Sequence, residues 1–182
     1  MKTLIITSAP NKESFTHAIA NSYKEKYENT EIIDLYNPEY KLDFLEFENK
    51  RQMPKKEKIL KIQEKIKQAE KIIFVFPVWW GGLPAIMKNM FDSVFISDFA
   101  FRYNSDWKKE ELLTDKIWEV IATCDAPANI YLENSEWTWV NLKTYFEKAL
   151  FWFCGIKMWK FSLFWELRKS SLEDRKKFLE EL

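Results

Sequence analysis

Three short stretches hold residue types that could grip a small molecule. The first is Trp79-Trp80-Gly81-Gly82, two flat aromatic side chains beside two glycines. Tryptophan offers a π-face, and glycine lets backbone N–H groups approach a planar ring, so this stretch suggests a grip on a flat heterocycle. The second is Ser8-Ala-Pro-Asn-Lys-Glu-Ser-Phe-Thr16, in which Ser8, Ser14 and Thr16 supply hydroxyls and the amides of Ser14 to His17 crown a helix. Such a helix start carries unpaired N–H donors and partial positive charge, a ready phosphate site; plain capping by Ser14 is the alternative. The third is Thr123-Cys124-Asp125, followed by Ala126 and Pro127.

The elements around these stretches put all three at one end of a sheet. Apolar runs at Thr3 to Thr7, Glu31 to Leu35, Ile72 to Phe76, Ile117 to Ala122 and Ile156 to Trp165 read as five strands. In the last, Trp159, Phe161 and Leu163 alternate with Met158, Lys160 and Ser162, which suits a half-exposed edge. Helical patterns lie between the runs. Ser14 can cap a helix reaching about Tyr27, with Phe15, Ile19 and Tyr23 on its apolar face. Ile59, Ile62, Ile66 and Ala69 share a face; Pro84 suits the first position of another helix. Leu142, Phe146, Ala149, Leu150 and Phe153 also follow helical spacing, with Gly155 as a stop. Ser170 and Glu173 have capping-box spacing, ahead of a helix expected to bury Leu172, Phe178, Leu179 and Leu182. Alternating strands and helices make an α/β fold with a doubly wound parallel sheet, whose ligands bind at the carboxyl ends of the strands. We expect a single domain over residues 1–182, with Asn37 to Pro54 an irregular surface excursion.

Composition removes several classes of function. Lys and Arg number 28 against 28 Asp and Glu, so no basic field recruits nucleic acid. No apolar stretch reaches 18 residues, and the N-terminal run reads as a strand rather than a signal peptide; no membrane span is expected. With only Gly81, Gly82 and Gly155, neither a dinucleotide fingerprint nor a P-loop can be written. His17 is the sole histidine, which argues against a metal site or a hydrolase triad. Cys124 and Cys154 read as reduced cysteines of a cytoplasmic protein.

The stretch from Phe74 to Phe95 resembles the Pro-x-x-Trp…Pro-Ala-x-x-Lys…Asp-x-Val-Phe region of the flavodoxin-like NAD(P)H:quinone oxidoreductases, the family that includes DT-diaphorase and its small bacterial relatives. Pro77, Trp79, Trp80, Pro84, Ala85, Lys88, Asp92, Val94 and Phe95 fit that pattern, as does Asp98-Phe-Ala-Phe-Arg-Tyr103. The resemblance covers nearly the whole chain and is strongest over residues 72–103. It implies a flavodoxin-like five-stranded sheet in the order 2-1-3-4-5 and noncovalent FMN, with FAD as the alternative. It further implies NAD(P)H as reductant, ping-pong hydride transfer to a quinone-like acceptor, and a homodimer. Ser8, Ser14, Phe15 and Thr16 would hold the flavin phosphate. Pro77, Val78, Trp79, Trp80 and Gly81 would meet the isoalloxazine, the backbone of residues 78–81 at its edge and one tryptophan against it.

The third stretch departs from the common pattern. Many members carry Thr-Thr-Gly-Gly there, whereas Thr123-Cys124-Asp125-Ala126-Pro127 looks like a Thr-x-Asp-x-Pro variant of one bacterial branch. Phe153-Cys-Gly-Ile156 and Ser170-Ser-x-Glu-x-Arg175 resemble that branch too. Asp125 could accept from the ring's N3–H or close an Asx-turn, the reading favoured here. Cys124 reads as filler rather than a redox thiol, His17 as a helix-start residue, and Lys88 with Asp92 as a surface i,i+4 pair. Tyr131 is the nearby phenol and receives no catalytic role; no catalytic residue is assigned. The altered loop motivates a second reading, a flavin-binding electron carrier or regulatory partner with little turnover of its own.

Overall fold

A computed structural model describes residues 1–46, 48, 56–127, 130 and 141–182. In chain order the elements are β1 (Thr3–Thr7), α1 (Phe15–Lys26), β2 (Thr30–Asp34), α2 (Glu57–Gln68), β3 (Lys71–Pro77), α3 (Ala85–Val94), β4 (Phe101–Tyr103), β5 (Lys109–Glu111), β6 (Ile117–Thr123), α4 (Leu142–Thr144), β7 (Met158–Phe164) and α5 (Leu172–Glu180). Tyr131 and the later part of the excursion after β2 lie outside the described residues.

Five strands form a parallel sheet in the order β2-β1-β3-β6-β7. The expected order 2-1-3-4-5 did not count β4 and β5, which pair as a separate antiparallel hairpin between the third and fourth strands of the sheet. Because β-strand side chains alternate, each central strand feeds two cores. Leu4, Ile6, Ile72, Phe74, Phe76, Trp118, Val120 and Ala122 face α2 and α3, while Ile5, Ile73, Val75 and Ile121 face α1 and α5. Much of the aromatic excess fills the first of these. Phe74 stacks on Trp118 with centroids 5.6 Å apart, and Phe76 on Phe146 at 5.5 Å.

Helix starts follow local chemistry. Ser14 caps α1, its hydroxyl accepting from the His17 N–H. Pro84 is the residue before α3 rather than its first member. The capping box of α5 lies one residue later than the spacing suggested: Ser171 caps, and Asp174 closes the box. That shift leaves Leu172 exposed at 68%, while Phe178, Leu179 and Leu182 still pack, half-buried, on the α1 side.

Two irregularities rephase side chains. The helical segment expected from Leu142 onward runs from α4 into a π-helical stretch, Tyr145–Phe151, then a 3-10 turn, Trp152–Cys154, ending at Gly155 with φ 72°. The wider π turn spaces contacts five residues apart. Phe146 and Phe151 are therefore the fully buried pair, with Leu150 only half-buried and Ala149 exposed. In β7 the register with β6 shifts between Trp118 and Glu119, so that Met158 and Lys160 pair with adjacent residues and Trp159 is skipped. Trp159 stands 76% exposed, and Met158 packs on the same core as Phe161 and Leu163. The strict alternation expected for this strand fails because a bulge changes its parity.

Candidate functional site

The loops after β1, β3 and β6 converge at the carboxyl end of the sheet because these are its three central strands. Hydrogen bonds continue the strand ladder into the loops. Ser8 N–H donates to Val75 O at 3.3 Å, Val78 N–H to Thr123 O at 2.7 Å and Cys124 N–H to Phe164 O at 2.8 Å. The hydroxyls of Thr16 and Thr123, both buried, lie 3.0 Å apart. Helix α1 and the end of β6 are thereby joined directly.

At the first loop, two kinds of polar group await a partner. The Phe15 and Thr16 N–H groups carry no hydrogen bond to a described residue, as expected at a helix start. The Ser8 hydroxyl is 0% exposed and also has no partner among the described residues, a costly arrangement unless a further group completes it. The Phe15 ring points elsewhere: it packs at 4.8 Å from Phe164 and 6.2 Å from Phe178, so this residue offers its amide and not its ring. His17 is buried, with Nε2 3.1 Å from Ala9 O. It braces the loop from behind, in line with its reading as a helix-start residue.

At the end of β3, Pro77 and the following Val78 are half-buried, and the chain then closes a four-residue turn. Trp79 N–H donates to Gly82 O at 3.1 Å, and Gly82 N–H to Trp79 O at 3.0 Å. Both central residues have positive φ, 50° for Trp80 and 72° for Gly81, the pattern of a type I′ turn. Gly81 suits that conformation; Trp80 is strained in it and stands fully exposed. Trp79 is 44% exposed. A Cβ added at Gly82 would meet nothing within 4 Å, and its φ is not positive. The fold does not require glycine at 82; the missing side chain leaves room beside the turn.

The third loop is built by a segment the sequence did not flag. Leu167 N–H donates to Cys124 O at 3.0 Å and Glu166 N–H to Ala126 O at 3.3 Å. Asp125 neither closes an Asx-turn nor faces outward free. Its Oδ1 accepts from the Arg168 N–H at 2.9 Å, and its Oδ2 pairs with Arg168 Nε at 2.9 Å. The favoured reading of Asp125 is therefore corrected: its carboxylate ties the loop after β6 to the one after β7. The positive φ of Glu166 lets that chain turn back. Cys124 is buried, its Sγ 3.4 Å from Ala126 O, and burial raises its thiol pKa. Lys88 and Asp92 form an exposed ion pair on α3. What the third loop can present is the amides of Asp125 and Ala126, which have no partner among the described residues.

The family of flavodoxin-like fold proteins matches this chain over residues 1–182. The chain belongs to that family. It is 31% identical, over 99% of its own length and 91% of the relative's, to a Haemophilus influenzae protein named an uncharacterized NAD(P)H oxidoreductase. It is 30% identical to the FMN-dependent NADH:quinone oxidoreductase of Caldicellulosiruptor bescii, over 67% of each chain. Among solved structures, Smu.1420 from Streptococcus mutans superposes with a TM-score of 0.83 at 28% identity, covering 100% of this chain and 96% of that one.

The site fits the cofactor that the second relative's name implies. Unpaired amides and a buried orphan hydroxyl suit a phosphate at α1, and the open turn at residues 79–82 suits a planar ring. Among the described residues no cluster of ligating side chains could hold a metal, and no helix is long and apolar enough to cross a membrane.

Proposed function

We propose that this chain is a flavin-dependent NAD(P)H oxidoreductase that binds FMN and reduces a quinone-like acceptor. The observation that carries this reading is the convergence, at the carboxyl end of the sheet, of a Ser8 hydroxyl and Phe15 and Thr16 amides that have no partner among the described residues, with open space beside Gly82. When bound, a flavin supplies two-electron relay, taking hydride from NAD(P)H and passing it to the acceptor in alternate half-reactions.

The chain's own part is binding and positioning. Ser8, Ser14, Phe15 and Thr16 hold the phosphate end through hydroxyls and amides. The backbone of Pro77, Val78, Trp79, Trp80 and Gly81 borders the ring, and the Trp79 and Trp80 side chains wall it off from water. Thr123 joins the two ends through Thr16, while Cys124 and Asp125 shape the loop and leave its amides to meet the ring edge. FMN is favoured over FAD by the relative named for FMN. The reduced, unpaired cysteines suit a cytoplasmic protein, and the exposed Trp107, Trp152, Trp159 and Trp165 suit a homodimer built from one domain.

The test is spectroscopic. Protein loaded separately with FMN and FAD, freed of excess and treated anaerobically with NADH or NADPH should retain FMN and lose its visible absorbance. Retained flavin that stays oxidised would support the carrier reading instead. Failure to retain either flavin would overturn the proposal.

A further inference from the structure

The first loop contains no glycine, so side chains must fix its shape, and one of them is charged. Lys12 pairs with Asp34, the last residue of β2, whose carboxylate is buried while Lys12 remains largely exposed. The other oxygen of Asp34 accepts from the Tyr36 N–H at 2.9 Å, and His17 Nε2 lies 3.9 Å from the Lys12-bearing oxygen. The same His17 nitrogen is 3.1 Å from Ala9 O. Asn11 completes the loop, its side chain accepting from Glu13 N–H at 2.9 Å and its carbonyl from Ser14 N–H at 3.1 Å. A buried carboxylate therefore sits beneath a loop whose free amides and orphan Ser8 hydroxyl await an anion. Left unpaired, it would repel that anion.

We infer that Lys12 reads the charge of the phosphate at this loop, with Asp34 as the counter-charge that stores the ammonium beside the site. Lys12 is shared between the Asp34 carboxylate and the phosphate ester. In the absence of phosphate it neutralises Asp34, and with phosphate present it adds a charge-assisted bond and shields the ester from Asp34. The inference rests on the flavin reading above and names two residues beyond the hydroxyl and amide donors. Glu13, exposed on the same loop, adds a further negative charge there.

The experiment compares FMN with riboflavin, which has the same ring and no phosphate. Dissociation constants come from quenching of flavin fluorescence for the wild type, Lys12→Met, Asp34→Asn and the double variant, at low and high salt. Lys12→Met should weaken FMN by about tenfold or more and leave riboflavin within about twofold. Asp34→Asn, which keeps the acceptor for Tyr36, should tighten FMN several-fold, and the double variant should lie between. The FMN preference of the wild type should shrink with salt, and that of Lys12→Met should shrink less. If Asp34→Asn fails to fold, the lysine variant with the two flavins still decides. Equal loss for both flavins, or no loss for either, in Lys12→Met would overturn the charge-reading role while leaving the flavin function standing. A wild type that binds neither flavin would overturn both.

Discussion

Trp80 is the residue whose replacement separates stability from function most cleanly. It occupies a left-handed conformation at φ 50°, which costs an L-residue roughly 1–2 kcal/mol. Its side chain is fully exposed, so replacing it removes almost no burial. Asparagine tolerates this conformation, and Asn-Gly is the favoured central pair of a type I′ turn. Trp80→Asn would create that pair with Gly81. We expect the flavin-free variant to gain about 1 kcal/mol, a rise of roughly 2–4 °C in Tm for a chain of this length. Function should move the other way. Loss of one aromatic face against a planar ring costs about 1–3 kcal/mol, or roughly 5- to 150-fold in flavin affinity or acceptor KM. Thermal and urea melts by circular dichroism measure the first effect, fluorescence titration and steady-state kinetics the second. A variant less stable than the wild type would show that the strain argument is wrong. A more stable variant with unchanged flavin affinity and acceptor KM would show that Trp80 is no wall of the site.

Other residues carry predictions of their own. Gly155→Ala should destabilise by about 1–3 kcal/mol in urea, because φ is 72° and the new Cβ would lie 2.5 Å from the Glu111 Cβ. Lys71, buried between Glu119 and Tyr23 at 2.6 Å from each, governs alkaline behaviour. Burial lowers its pKa, but the bonds to Glu119 and Tyr23 prevail and hold it above the usual lysine range, while burial lifts the Tyr23 phenol above the usual tyrosine range. Both contributions are complete below the unfolded values and are lost as pH rises through the folded ones. Urea midpoints should therefore hold steady to about pH 9 and fall above about pH 10, less steeply in Tyr23→Phe; an equal fall in that variant would refute the assignment. Burial pushes the Cys154 thiol up to about 11 and raises that of Cys124. Neither should be alkylated by iodoacetamide in native protein at pH 8, and both should react once it is unfolded.

The strands and the site loops were legible in the sequence because each rests on a local pattern. β1 falls on the expected residues, and β3 ends where Pro77 stops the apolar run. The Ser14 cap needs only its own hydroxyl and a neighbouring amide. What escaped depends on contacts distant in sequence or on backbone geometry without a residue signature. Arg168 reaches Asp125 across 43 positions, and no spacing announces that partner. The bulge at Trp159 and the π-helical stretch change the phase of side chains while leaving hydrophobic spacing ambiguous. The β4–β5 hairpin was readable in principle, since Asn104 turns the chain by accepting from the Asp106 and Lys108 amides between two short runs.

The meeting of Thr16 with Thr123 has a consequence for how the protein comes into use. The two hydroxyls are 107 residues apart in sequence, and the donors around them come from β1, β3 and β6. No fragment that ends before β6 brings these groups together. During synthesis the amino-terminal strand emerges first yet waits for β6 before its loop acquires its partner. Cofactor uptake is then a late event that reports completion of the whole sheet, and a nicked or truncated chain should forfeit it entirely rather than by degrees.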